Sequence, residues 1–275
     1  MGTVSVKEKL FLYPNPDFNL SKPGPVAGVF QSGGTLQHWC RVAAERGVRF
    51  SYMVSSGNEL SLDTADYINF FVDDPKTKII ILMIEGIRRT DAFKAAAERA
   101  LLAGKPILAV KVGQTEEARN SAKSHTGAIA GDYDVFAALC EQYGIVLCST
   151  LDDMVETTLA FQLERLPKGN SMAFISNSGG VVDLLHDHAA QENAKLASYS
   201  KKTIKNVRDL VGPDMPMQNP MDCGQAGFAD PKNYMRVCEA VASDRKVHML
   251  AFETRTPNRE GERSAIPLKE LKKTI

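Results

Sequence analysis

From Lys78 to Ile84 the chain reads Lys-Ile-Ile-Ile-Leu-Met-Ile, an unbroken run of apolar, largely β-branched residues after its opening lysine. It shows no alternation that would leave one face in water, so it predicts a central strand buried on both faces. A strand of that kind belongs in a parallel sheet with helices packed above and below, which commits the chain to an α/β architecture.

The flanking segments keep the alternation. Pro25 to Phe30, Phe50 to Val54, Pro106 to Val110 and Ile145 to Cys148 read as further strands. Between them run helical stripes: Leu36, Trp39, Cys40 and Ala43; the segment Leu62 to Val72; Phe93, Ala96, Ala97, Ala100 and Leu101, closed by Gly104; Phe136, Leu139 and Cys140; and Leu151 to Glu164. Right-handed crossovers turn this order into a five-stranded parallel sheet in flavodoxin-like order 2-1-3-4-5. Residues 1–24 carry Pro14, Pro16, Pro23 and Gly24 without a sustained period, and are expected as an extended lead-in.

Leu166-Pro167-Lys168-Gly169-Asn170 breaks the pattern and separates a first domain, 25–166, from a second α/β domain, 171–275. The second opens with a strand from Met172 to Ser176, a turn at Asn177-Ser178-Gly179-Gly180 and a helix with Val181, Leu184, Leu185 and His188 in one stripe. Helices over 201–211 and 231–243, a Pro/Gly-rich loop from Pro213 to Gly227 and a strand from Val247 to Phe252 follow, so the second sheet is expected to be incomplete.

Chemistry concentrates at strand ends. His125 lies in Lys123-Ser124-His125-Thr126-Gly127-Ala128-Ile129-Ala130-Gly131, after the strand Pro106 to Val110, where open α/β sheets carry their active loops. Position alone serves a solvated loop histidine equally well. Two turns, Ser32-Gly33-Gly34 and Ser178-Gly179-Gly180, each open a helix, whose free N–H groups and positive dipole end suit a phosphate. Glu85 follows the buried strand directly, and Gly57-Asn58 forms a loop after Val54. By itself Gly57-Asn58 is simply a turn.

Several function classes fall away. Lys+Arg and Asp+Glu number 33 each, a formal charge of zero, which leaves no basic footprint for nucleic acid. The cysteines, Cys40, Cys140, Cys148, Cys223 and Cys238, are odd in number and contain no Cys-x-x-Cys pair, which disfavours both a disulfide framework and a zinc site. His186 and His188 stand two apart on a helix and point about 160° away from each other, so they do not share a metal ion, and His188 is expected to be packed. No apolar run reaches the roughly 20 residues of a membrane span, and a cytoplasmic location is expected.

Ser124-His125-Thr126-Gly127-Ala128-Ile129-Ala130-Gly131 resembles the phosphohistidine loop of nucleoside-diphosphate-forming acyl-CoA synthetases, the group of ADP-forming acetyl-CoA synthetase and the succinyl-CoA synthetase α subunit. Gln31-Ser32-Gly33-Gly34, Gly57-Asn58, Asp74-Pro75-Lys76-Thr77, Ile84-Glu85-Gly86, Asn177-Ser178-Gly179-Gly180 and Asn219-Pro220-Met221-Asp222 match the same family in its order, and Asp187 matches an aspartate of its later domain. Phe30 departs from the pattern, standing where relatives carry a serine.

The resemblance implies that His125 is phosphorylated and that Glu85 orients its ring. Gln31, Ser32, Gly33, Gly34, Asn177, Ser178, Gly179 and Gly180 would contact phosphate, and Gly57, Asn58, Thr126 and Gly127 would line the substrate site. No metal and no resident cofactor are expected in this segment. The substrates of the full enzyme would be a small-molecule acid, CoA, phosphate and ATP/ADP with Mg. Met1-Gly2 resembles the point where the family leaves its CoA-binding domain, so CoA-binding and ATP-grasp domains are expected as partners in cis or trans. The assembly is expected to be a homo-oligomer, with no nucleic acid or membrane partner, and the isolated segment is expected to be inactive as an acid-thiol ligase. Two rival readings are a non-catalytic acyl-CoA-sensing or regulatory module of a multidomain acyltransferase and a flavin-binding flavodoxin-like protein. The latter needs stacked aromatics at loop tips, and aromatics are only 7% of the chain without clustering there.

Overall fold

The computed structural model describes residues 2–13, 22–118, 133–163, 167–224 and 230–254. The chain divides into two compact units, Met1–Glu164 and Arg165–Ile275, each with its own sheet.

The first unit holds a seven-stranded sheet of β1 (Gly2–Ser5), β2 (Leu10–Leu12), β3 (Val26–Phe30), β4 (Phe50–Ser55), β5 (Ile79–Ile84), β6 (Ile107–Lys111) and β7 (Val146–Leu147), in the order β2-β1-β4-β3-β5-β6-β7. β3 to β7 are mutually parallel and stand in flavodoxin-like order, as their alternation with helices requires. The apolar run becomes β5, buried at every residue and paired with β3 on one side and β6 on the other. The chain leaves β3 for β4 and then returns to place β5 on the opposite side of β3. The topological switch point therefore lies at the carboxyl ends of β3 and β5.

Strand periodicity splits the core into two layers. Ile79, Ile81 and Met83 face Leu36, Trp39, Cys40 and Ala43 of α1 (Gly33–Glu45) and Met154 and Val155 of α5 (Leu151–Phe161). Ile80, Leu82 and Ile84 face α2 (Thr64–Asp73), α3 (Thr90–Leu102) and α4 (Tyr133–Tyr143) through Ile68, Phe71, Phe93 and Phe136. Phe30 is a core residue with its ring 5.6 Å from that of Trp39. Trp39 Nε1 donates to the Leu151 carbonyl at 2.9 Å and ties α1 to α5. Gly104 has φ +66, the left-handed conformation that lets it end α3 without strain. Leu101, expected in the α3 stripe, is 53% exposed; it lies at the stripe's margin and leans over Gly144.

Residues 2–12, expected within an extended lead-in, form an antiparallel hairpin whose β1 pairs antiparallel with β4. β4 would otherwise be the edge of the parallel set, with a row of unpaired backbone groups. Strands of four and three residues are too short to show a period in the sequence.

The second unit holds a four-stranded sheet of β8 (Ser171–Ser176), β9 (Lys195–Leu196), β10 (Met221–Asp222) and β11 (Met249–Phe252), all paired in parallel to β8. β11 runs along one edge of β8, while β9 pairs with Ser171 and Met172 and β10 with Ile175 and Ser176 on the other. Asn219 fills the gap in that interrupted edge. Its Oδ1 accepts from the Phe174 N–H at 3.0 Å, and its Nδ2 donates to the carbonyls of Met172 at 2.7 Å and Ala197 at 3.0 Å. β10 falls within the expected Pro213–Gly227 loop, because a two-residue strand has no readable period.

α6 (Gly179–Gln191), α7 (Lys201–Val211) and α8 (Pro231–Ala242) complete this unit. α6 buries Val182 and Ala189 instead of the expected stripe; Leu184 and His188 are exposed. Its apolar residues outnumber the places that so narrow a sheet can cover. The helices are also too short or too polar to cross a membrane, since none among the described residues is long and apolar enough.

Candidate functional site

The chemistry-bearing segments of the first unit meet at the carboxyl ends of β3, β4, β5 and β6. Gln31 follows β3 and Glu85 follows β5, so parallel pairing brings both to the switch point. The Gln31 side-chain amide closes across it: Oε1 accepts from the N–H groups of Glu85 at 2.6 Å and Gly86 at 3.0 Å, and Nε2 donates to the Gly86 carbonyl at 2.7 Å. From the β6 side, the buried Lys111 donates from Nζ to the carbonyls of Glu85 at 2.8 Å and Val112 at 2.5 Å. Glu85 is thus gripped at its N–H and at its carbonyl. Its half-buried side chain leaves a fixed backbone, and its carboxylate has no hydrogen-bond partner among the described residues.

α1 begins beside this clamp. Ser32 is its N-cap, with Oγ accepting from the Thr35 N–H at 3.4 Å and lying 2.9 Å from Thr35 Oγ1. Gly33 and Gly34 supply the first turn, where helix geometry provides no intrahelical acceptor for their N–H groups. Gly33 keeps the turn close to its neighbours, since a Cβ there would lie 3.1 Å from Ser55 Oγ and 3.2 Å from Tyr13 Oη and both would have to give way. Gly34 faces open space.

The loop after β4 is held from below. Gly57 turns it at φ +59, and Asn58 is exposed. Glu59, also left-handed at φ +51, is buried; its Oε1 accepts from Ser56 Oγ at 2.9 Å and Thr64 Oγ1 at 2.6 Å, while Oε2 is buried without a partner among the described residues. Asp63 caps α2, in a box with Asp66, and both accept from Arg89. Hydrogen bonds from the Asp63 N–H and from Arg89 hold the Asp66 carboxyl below its ordinary value. Two buried acids therefore pin the loop that presents Asn58. Sequence reading passed over Glu59, whose partners Ser56 and Thr64 flank it in the chain, and Arg89, whose partners Asp63 and Asp66 lie at the start of α2.

His125, Thr126 and Gly127 lie outside the described residues. Asp74-Pro75-Lys76-Thr77 is a turn at the amino end of β5, away from the site: Asp74 Oδ2 accepts from the Thr77 N–H at 2.9 Å and its hydroxyl at 2.7 Å. Lys105 finishes the same corner by donating to the carbonyls of Phe71, Val72 and Asp74.

In the second unit, Ser178 occupies the N-cap of α6 without a side-chain cap bond, and its N–H donates to Ser176 Oγ at 3.0 Å. Ser176 Oγ in turn donates to Glu253 Oε2 at 2.5 Å, and a Cβ on Gly179 would lie 3.3 Å from Asp222 Oδ2. Two carboxylates therefore flank this helix end. Gly180 is open, and Asn177 Oδ1 is buried without a partner among the described residues. His186, Asp187 and His188 are all exposed. The cysteines are free and buried, and burial pushes the Cys148 thiol up to about 11 and the Cys223 thiol up to about 12, so neither is a ready nucleophile.

Residues 23–161 match the model of the succinyl-CoA ligase-like flavodoxin domain. The chain is 31% identical over 259 residues to the α subunit of an ADP-forming acetate–CoA ligase II of Pyrococcus furiosus, a match covering 92% of this chain and 56% of that one. It is 33% identical over 218 residues to a trans-feruloyl-CoA synthase from an unknown prokaryotic organism, covering 79% of this chain and 31% of the other. Among solved structures, the acetyl-coenzyme A synthetase 1 of Ca. Korarchaeum cryptofilum in complex with phosphate and ADP superposes with a TM-score of 0.82 at 28% identity, covering 91% of this chain and 53% of that one. The chain thus spans about half the length of the Pyrococcus and Korarchaeum relatives, and less of the feruloyl-CoA synthase. The family match runs through all the parallel strands of the first unit, in the strand order that builds the Gln31–Glu85 switch point, and the chain belongs to the succinyl-CoA ligase-like flavodoxin-domain family, that of the ADP-forming acyl-CoA synthetases.

Proposed function

We propose that the chain is the phosphoryl-handling core of a nucleoside-diphosphate-forming acid–CoA ligase. Phosphate attacks the acyl carbonyl of acyl-CoA, releasing CoA and leaving an acyl phosphate. One ring nitrogen of His125 then takes the phosphoryl group as the carboxylate leaves, and ADP collects it as ATP. Each step is reversible.

The observation that carries this reading is the grip of Gln31 and Lys111 on Glu85 at the switch point, in a chain of this family. A phosphorylated histidine needs one nitrogen free to attack and the other held as a donor, and a carboxylate on a fixed backbone does the holding. It also stabilises the positive charge that develops on the ring.

In this reading Ser32, Gly33 and Gly34 offer the amino end of α1 to the phosphoryl oxygens, and Gln31 serves by setting Glu85 and Gly86. Asn177, Ser178, Gly179 and Gly180 offer a second helix end. Gly57 and Asn58 line the acyl site with Thr126 and Gly127. CoA and ATP/ADP with Mg are substrates held mainly by CoA-binding and ATP-grasp domains supplied in cis or trans, and the assembly is a cytoplasmic homo-oligomer.

The test is phosphoenzyme formation from γ-labelled ATP, with the partner domains present. His125→Ala should remove the label. Glu85→Gln, which keeps size and hydrogen bonding but loses the charge, should slow labelling by roughly a hundred-fold. Label at the parental level in His125→Ala would overturn the assignment.

A further inference from the structure

Tyr13 closes the amino-terminal segment onto the first turn of α1. Its hydroxyl donates to the Gly33 carbonyl at 2.6 Å, and its ring packs against the core layer that α1 buries. Tyr13 precedes residues 23–161, which carry the family match.

The Gly33 carbonyl and the Gly34 N–H belong to one planar trans peptide, so they point in opposite directions. In the first turn of a helix the carbonyl points along the axis and the N–H points out of the amino end. A donor on that carbonyl does two things. It fixes the plane of the peptide, and it draws electron density toward the oxygen, which strengthens the N–H as a donor on the other side. A carbonyl oxygen has two lone pairs, so the Tyr13 bond adds to the intrahelical bond at Gly33 without displacing it. Gly34 is exposed, and a Cβ there would meet nothing within 4 Å, so an anion has room to approach this peptide. Burial raises the Tyr13 phenol above its ordinary value, which keeps it a protonated donor through neutral pH.

We infer that Tyr13 is a positioning residue for the phosphoryl site, aiming and strengthening the Gly34 N–H through the Gly33 carbonyl. The inference rests on the proposed role of the α1 amino end.

The experiment follows the Gly34 amide of the full chain by nitrogen–proton correlation NMR while inorganic phosphate is added. In the parent the Gly34 signal should shift with saturation. Tyr13→Phe should raise the phosphate Kd roughly five-fold. Ile68→Val, a core change in α2 remote from the turn, should lower Tm and leave that Kd unchanged. Replacing Tyr13 by 3-fluorotyrosine, a stronger donor of nearly the same shape, should keep the fold and bind phosphate at least as tightly as the parent. That arm decides the matter even where Tyr13→Phe folds poorly. A parental Kd in Tyr13→Phe with Gly34 still responding, or a weakened Kd in the fluorotyrosine protein, overturns the inference and leaves the site standing. A Gly34 signal unmoved by phosphate in the parent overturns the site and the inference together.

Discussion

The side-chain amide of Gln31 is locked onto the backbone of Glu85, accepting its N–H at 2.6 Å from 54 residues away in the chain. A side chain after one strand thus sets the residue that follows its neighbour, and the proposed orienting carboxylate inherits its direction from that bond.

Gln31→Ala leaves the N–H groups of Glu85 and Gly86 and the Gly86 carbonyl without their partner. Loss of about 2 kcal/mol is expected from urea unfolding of the chain. Amide exchange should quicken at Glu85 and Gly86 and not in the helices that cover the sheet. Unchanged protection at both amides would refute the clamp.

Asn219 stands in for a missing stretch of edge strand in the second unit. Asn219→Ala should cost about 2–3 kcal/mol, because it strands the Phe174 N–H and two carbonyls at once. Asn219→Asp should fare no better, since it keeps the acceptor and loses the donor that serves Met172 and Ala197. Denaturant unfolding followed through exchange at the Phe174 amide checks both variants.

Asp244 joins the start of α7 to the approach to β11, accepting from the N–H groups of Ser200 and Lys246. Burial by itself would raise its carboxyl, but these N–H groups and the hydroxyls of Thr203 and Ser200 overcome that and hold it at about 2. A carboxyl lowered on folding contributes stability that is present above its unfolded value, about 3.9, and lost as pH falls through the folded one. Asp244→Asn should therefore cost about 2 kcal/mol at pH 7. The gap to the parent should close between about pH 4 and pH 2. A gap that stays constant through that window would rule out the carboxylate as its source.

The strands and helices of the first unit were readable because each depends on local pattern. The Ile79–Ile84 run has one stable use, and the i, i+3, i+4, i+7 spacing of Leu36, Trp39, Cys40 and Ala43 has one face to bury. Strand order followed from the handedness of the crossovers, which also placed Gln31 and Glu85 on the same edge. Where the local signal was thin, the reading was incomplete. The hairpin of β1 and β2 and the short β9 and β10 hold together through pairing with longer strands, and α6 turned a different face inward than its apolar residues suggested.

The sequence by itself determined the architecture, the positions of the glycine turns and the placing of Glu85 at a strand end, since hydrophobic periodicity and backbone chirality act over neighbouring residues. Only the tertiary structure decided what Gln31, Asn219 and Tyr13 do. Each is a polar side chain whose partners lie on another element, and a hydrogen bond needs its donor and acceptor within about 3 Å, a distance that exists only once the sheet has brought the strand ends side by side.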